Sequence, residues 1–172
     1  MRKIIIIGTL HLGLTPNKEL REVLDEIKPD QLLVEINERD IKNNNFKKYI
    51  PEMVFAYRRA KKKKISVSGF DSSINVLSQG MTEKDKKRII QKQKRLAKGH
   101  NWKDLNKEKY LKLLRGSEEG LIDWKKEQKR EEKMLQNIKK AMQPNGKIVI
   151  VTGCGHLSFF EKSIKDAVFP FR

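Results

Sequence analysis

The chain has 172 residues and a mass of 20.2 kDa, with 39 Lys/Arg against 22 Asp/Glu, a net charge of +17 and a pI of ≈ 9.9. A single cysteine excludes an intramolecular disulfide, no apolar stretch approaches the ~20 residues needed to span a bilayer, and the run Ile4–Ile7 is too short for a signal-peptide core of roughly 7–15 residues. These limits describe one cytoplasmic domain large enough to bury a core, with no membrane span.

Taken in chain order, the apolar run Lys3–Ile7 closes on Gly8 and reads as a strand buried on both faces. A His-Leu-Gly-Leu-Thr-Pro loop follows. A helix is predicted from about Asn17 to Lys28, with Leu20, Val23, Leu24 and Ile27 at helical spacing and Asn17 or Thr15 as caps. Pro29-Asp30 ends it, and Gln31–Ile36 is the second strand. The Asn43-Asn44-Asn45 turn leads to a helix near Lys47–Lys64. The third strand, Ile65–Phe70, alternates in polarity, as an edge strand does.

From Thr82 to Met142 strand signals disappear. The segment carries 20 Lys/Arg against 10 Asp/Glu, a net +10, and reads as about three helices broken near Gly99-His100-Asn101 and Gly116-Ser117. The apolar positions Leu121, Trp124, Met134, Leu135 and Ile138 form an interrupted stripe on the last of them. The fourth strand is Lys147–Thr152, and a final helix covers roughly Leu157–Val168. Strand and helix alternate as in right-handed βαβ units. The predicted fold is α/β: residues 1–172 form one domain with a small parallel sheet of about four strands in the order 3-2-1-4, helices on both faces, and residues 82–142 as a basic helical insertion.

Two tetrapeptides stand out, Gly8-Thr9-Leu10-His11 and Gly153-Cys154-Gly155-His156. Each is Gly-x-x-His and each follows a buried strand, where open α/β sheets place their ligands. With strands one and four adjacent, both loops flank one crevice, and Gly8, Gly153 and Gly155 become candidate binding positions. Glu35 lies in an otherwise apolar strand, where a carboxylate needs an ion partner, hydrogen bonds or a cation. Arg39 and Arg130 are candidate ion partners. Asp71 follows strand three and is either a site carboxylate or the N-cap of a helix over Ser72–Val76. His100 reads as a surface turn residue. Cys154 reads as a small turn residue, although a thiol beside a histidine also suits nucleophilic catalysis.

His11, Glu35 and His156 make a plausible ligand set for Zn²⁺ or Mn²⁺ with a position open for water. Without metal, His11 is a candidate general base oriented by Glu35 or Asp71. Arg130, on the helix before strand four, is a candidate anion clamp.

The motifs Gly8-Thr9-Leu10-His11, Val34-Glu35-Ile36-Asn37-Glu38-Arg39, Ser68-Gly69-Phe70-Asp71, Arg130-Glu131-Glu132-Lys133-Met134 and Val151-Thr152-Gly153-Cys154-Gly155-His156-Leu157 together resemble the TraB/PrgY–TIKI superfamily, which embraces erythromycin-esterase-like and ChaN-like proteins. The resemblance covers both ends of the chain in the correct order, matches poorly over Met81–Gln128, and has Asn37 where aspartate is usual. It implies an α/β sheet whose Gly-x-x-His histidines and Glu35 line one site. The implied chemistry differs by branch: metal-dependent peptide hydrolysis, hydrolysis by activated water, or haem binding. The substrate is then a peptide or ester, and the short chain suggests a homodimer.

The charge supports a competing reading as a nucleic-acid-binding module, with Trp102, Tyr110 and Trp124 among the lysines. The lysines are spread through every helix, however, and lysine outnumbers the arginine that bidentate phosphate and base recognition favours. That reading stands below the hydrolytic one.

Overall fold

In the computed structural model, which describes every residue except 11–13, 79–81 and 121 and the side chains of Glu83 and Lys86, a five-stranded, all-parallel sheet carries helices on both faces. Its strands are β1 (Arg2–Thr9), β2 (Gln31–Val34), β3 (Ser66–Gly69), β4 (Gly146–Gly153) and β5 (Ala167–Val168). The helices are α1 (Asn17–Ile27), α2 (Glu38–Lys42), α3 (Pro51–Lys62), α4 (Glu83–Ala97), α5 (Glu108–Ser117), α6 (Trp124–Ala141) and α7 (Leu157–Ser163).

The period of two along each strand sorts the core into two layers. Ile4, Ile6, Leu33, Ile148 and Ile150 face Leu111 and Leu114 of α5, Met134 and Ile138 of α6, and Phe160 of α7. Ile5, Ile7, Leu32, Val34, Val149 and Val151 face Leu20, Val23 and Leu24 of α1 and Met53, Ala56 and Ala60 of α3. Continuous β-branched runs are therefore required, because neither face meets water. β3, whose side chains are mostly half-buried or exposed, lies at an edge, as its alternation indicated.

The strand order is β3-β2-β4-β1-β5 rather than 3-2-1-4. β1 and β4 are adjacent and parallel as expected, with Gly8 opposite Thr152 and Thr9 opposite Gly153. β4, however, lies between β1 and β2 and pairs with both. The two apolar runs are of the same kind, so composition does not decide which is central. β5 was hidden in the predicted last helix. The chain leaves α7 at Ser163, and Ala167–Val168 pairs with Ile4–Ile5. Pro170, two residues on, forces Phe169 toward extended backbone.

The remaining boundaries have local causes. α3 starts at Pro51 rather than near Lys47, because proline at the first helical position loses nothing by lacking an N–H. Before it, Asn37 caps the short α2, its side chain accepting from Arg39 N at 2.9 Å. Asparagine and aspartate cap equally well, so Asn37 fills a structural role here. α1 has no side-chain cap; the Thr15 hydroxyl instead accepts from Leu10 N at 2.8 Å. In the basic segment α4 opens with a Thr82/Asp85 capping box, and α6 is the crossover helix covering the sheet ahead of β4. Leu121, assigned to the apolar stripe, lies outside the described residues.

Candidate functional site

The central position of β4 brings the ends of β2 and β4 into direct contact. Glu35, one residue past β2, donates its N–H to Val151 O at 3.2 Å. Its side chain turns toward the start of the second Gly-x-x-His loop, where Oε2 accepts from Gly153 N at 2.6 Å and from Thr152 Oγ1 at 2.8 Å. The other oxygen, Oε1, faces Arg130 Nη2 at 2.7 Å. The buried carboxylate is thus fixed by β4 on one side and a guanidinium on the other. Of its two candidate ion partners, Arg130 is the one engaged.

Arg130 also donates to Asp71 Oδ1 from Nε at 3.0 Å and from Nη2 at 2.9 Å. Asp71, just past β3, caps no helix: residues 72–76 form neither helix nor strand, and its carboxylate belongs to the site. Burial pushes the Asp71 carboxyl above its ordinary range; Arg130 opposes this and Glu35 adds to it. The Arg130 guanidinium is desolvated, yet Glu35, Asp71 and Glu127 hold it firmly charged.

His156 closes a 3-10 turn, Cys154–His156, and is 5% exposed. Its Nδ1 lies 3.0 Å from Glu131 Oε1 and 3.5 Å from Glu127 Oε1. Its Nε2 lies 3.4 Å from Glu35 Oε1 and 3.4 Å from Arg130 Nη1. Burial disfavours the imidazolium, but Glu35 and Glu131 outweigh it and push the pKa up to about 10. Glu127, Arg130 and Glu131 share one face of α6 at i, i+3 and i+4.

The structure brings together Glu35, Asp71, Arg130 and His156. His11 lies outside the described residues. The chain leading to it ends with the buried Leu10, beyond the β1 terminus that neighbours β4. The glycines play different parts. A Cβ on Gly8 would come within 2.6 Å of Leu157 Cδ1 and closer still to Asn106 Oδ1, so Gly8 is explained by packing. Gly153 gives its N–H to Glu35, and Gly155 faces open space. Burial pushes the Cys154 thiol up to about 12, which leaves it protonated at neutral pH and removes the reason to read it as a nucleophile. His100 is exposed and stacks at 4.6 Å on Tyr110.

Glu127 and Glu131 were not anticipated. Glu127 sits seven and eleven residues, and Glu131 three and seven residues, before the buried Met134 and Ile138 in a helix that otherwise reads as solvated charge; counting that stripe back at 3.6-residue spacing places both carboxylates on the buried face. Among the described residues, Glu127, Glu131 and His156 form a group that could hold a metal ion, each offering one ligand atom within 4.8 Å of the others. This set differs from His11, Glu35 and His156. Both Glu35 oxygens are already engaged, and a cation between Glu35 and His156 Nε2 would meet the Arg130 guanidinium. On the Nδ1 side Arg130 Nη1 stands farther off, 3.7 Å from Glu127 Oε1, and Glu127 Oε2 is buried there with no hydrogen-bond partner among the described residues. Two carboxylates and an imidazole suit Zn²⁺ or Mn²⁺.

A cavity of ≈ 370 Å³ opens beside these groups, with Glu127, Arg130, Cys154 and His156 in its lining and α5 opposite. Compared with protein-family models, curated proteins and solved structures, the chain matches none. Among the described residues no helix is long and apolar enough to cross a membrane.

Proposed function

We propose that the chain is a hydrolase of peptides or esters, of the TraB/TIKI-like type, that activates water beside His156 with a divalent metal, Zn²⁺ or Mn²⁺, held by Glu127, Glu131 and His156. The observation that carries this reading is the buried Glu127 Oε2, without a hydrogen-bond partner among the described residues, on a carboxylate that faces His156 Nδ1 beside Glu131 at the floor of a cavity. When bound, such an ion lowers the pKa of a water ligand and polarises a carbonyl. His156 must give up its Nδ1 proton to serve as a ligand. Glu35 and Asp71 hold Arg130 so that Nη1 faces His156 and lies in the cavity lining, where its charge opposes that of a developing oxyanion. Positioning Arg130 through two carboxylates makes its geometry independent of substrate.

The haem-binding alternative finds less support, since both ring nitrogens of the buried His156 face side chains of Glu35, Arg130, Glu127 and Glu131. The test is hydrolysis of a panel of aryl esters and unstructured peptides by protein loaded with Zn²⁺ or Mn²⁺, against chelator-treated protein and the His156→Ala and Glu131→Gln variants. Metal-dependent turnover lost in both variants supports the reading. Folded, metal-loaded protein that cleaves none of the panel refutes it and leaves a binding protein.

A further inference from the structure

The cavity above the site has a division of character that the catalytic residues do not explain. Its floor is polar, formed by Glu127, Arg130 and His156, but its walls are apolar: Leu14, Leu111 and Leu114 line it together with Trp124. Leu111 and Leu114 come from α5, within the basic segment, so residues outside the Gly-x-x-His motifs shape what reaches the floor. At ≈ 370 Å³ it lies at the small end of the roughly 300–1,000 Å³ typical of ligand pockets.

The rim carries charge. Arg115 and Lys162 are exposed and lie in the lining. Arg115 stacks over the Trp124 ring at 4.9 Å, which holds its guanidinium at the rim, and among the described residues no side chain accepts from its N–H groups. Neighbouring carboxylates are otherwise engaged: Glu108 pairs with Arg172, and Glu118 accepts from Gln93 at 2.9 Å. A ligand that satisfies the walls and the rim has an apolar body against the leucines and an anionic end at Arg115 and Lys162.

We propose that this cavity binds an apolar chain or ring system ending in a carboxylate or similar anion, and that this amphipathic anion is the substrate class of the site. The substrate assignment rests on the hydrolytic reading; the binding assignment does not, and it is tested without turnover.

Decanoate is the probe, with decanol and decylamine as comparators of equal length, followed by calorimetry and by tryptophan emission. Trp124 is 37% exposed, whereas Trp102 is 3% exposed and bonded to Glu19, so the emission change belongs to Trp124 and disappears in Trp124→Phe. Decanoate is expected to saturate at one per chain, decanol to bind more weakly and decylamine not to bind. The Arg115→Glu/Lys162→Glu double variant, altered only at exposed positions, should weaken decanoate roughly tenfold and leave decanol within about twofold. Absence of saturable decanoate binding by both methods overturns the proposal, as does equal affinity in the double variant. If decanoate binds as expected but metal-loaded protein cleaves no ester or peptide, the hydrolytic reading fails and the binding site stands. Turnover without decanoate binding is the reverse result.

Discussion

Arg130 Nη2 stands 2.7 Å from Glu35 Oε1 and 2.9 Å from Asp71 Oδ1, so a single guanidinium on α6 joins the ends of β2 and β3. All three side chains are nearly enclosed, with exposures of 16%, 6% and 13%. Two carboxylates leave water here only because the guanidinium and the β4 donors replace their hydration, and a buried pair of this kind is weak on its own but costly to break. The arrangement fixes the floor of the cavity before any ligand arrives.

Removing the cation should therefore destabilise the fold. Arg130→Met leaves Glu35 and Asp71 buried without their shared partner, at an expected cost of about 3–5 kcal/mol in urea denaturation. Arg130→Lys keeps the charge but loses the fork that reaches both carboxylates, and should fall between. Adding Glu35→Gln and Asp71→Asn to Arg130→Met should recover much of the loss, because the orphaned charges disappear. An Arg130→Met protein within about 1 kcal/mol of the parent would show that the triad carries no such coupling.

Much of this site is legible in the sequence because its members interrupt patterns. Glu35 breaks an apolar strand, Asp71 and His156 each follow one, and the strand-end rule places all three at the same edge of the sheet. Arg130 takes its place from the same logic, since the helix before β4 has to return to that edge. Glu127 and Glu131 are harder to see, because Lys125–Lys133 reads as solvated charge unless the Met134/Ile138 stripe is carried backward through it. The central position of β4 is not legible at all: Ile4–Ile7 and Ile148–Val151 offer the same buried surface, and only long-range pairing separates them. That choice sets the site, since it puts Glu35 against Gly153 rather than against the first Gly-x-x-His loop. β5 escapes notice because its two residues are stabilised by pairing with Ile4 and Ile5 and by little of their own.

His156 makes stability depend on alkaline pH. Its folded-state pKa of about 10 exceeds the ordinary 6.5, so the folded protein holds the proton more tightly than the unfolded chain. The resulting stabilisation is fully present below pH 6.5 and is lost as pH rises toward 10. Denaturation midpoints in metal-free protein should fall across that window, and His156→Gln should flatten the fall. A parent profile that is level over the same range would mean the imidazole is neutral in the folded state.

Gly8 tests the packing account of the first Gly-x-x-His motif. Its carbonyl accepts from Asn106 Nδ2 at 3.1 Å, and the space a Cβ would need is held by Asn106 and Leu157. Gly8→Ala should cost roughly 1–3 kcal/mol through overpacking. Asn106→Gly in the same chain should relieve part of the clash, although it also removes the hydrogen bond. If Gly8→Ala folds with parental stability yet loses metal or ligand binding, the glycine belongs to the site and not to the packing.

The two candidate ligand sets make opposite predictions for metal binding. Equilibrium dialysis with Zn²⁺ and Mn²⁺ should give one ion per chain, raising the melting temperature as a ligand of the folded state does. Glu127→Gln, Glu131→Gln and His156→Ala should each weaken binding by at least about tenfold, whereas His11→Ala and Glu35→Gln should leave the affinity within a few-fold. Because His156 must lose its proton to ligate, binding should release a proton and weaken as pH falls. Binding lost in His11→Ala but retained in Glu127→Gln and Glu131→Gln would return the ion to the His11, Glu35 and His156 set. That outcome would also require Arg130 to leave His156 Nε2, which a changed Arg130→Lys affinity would report.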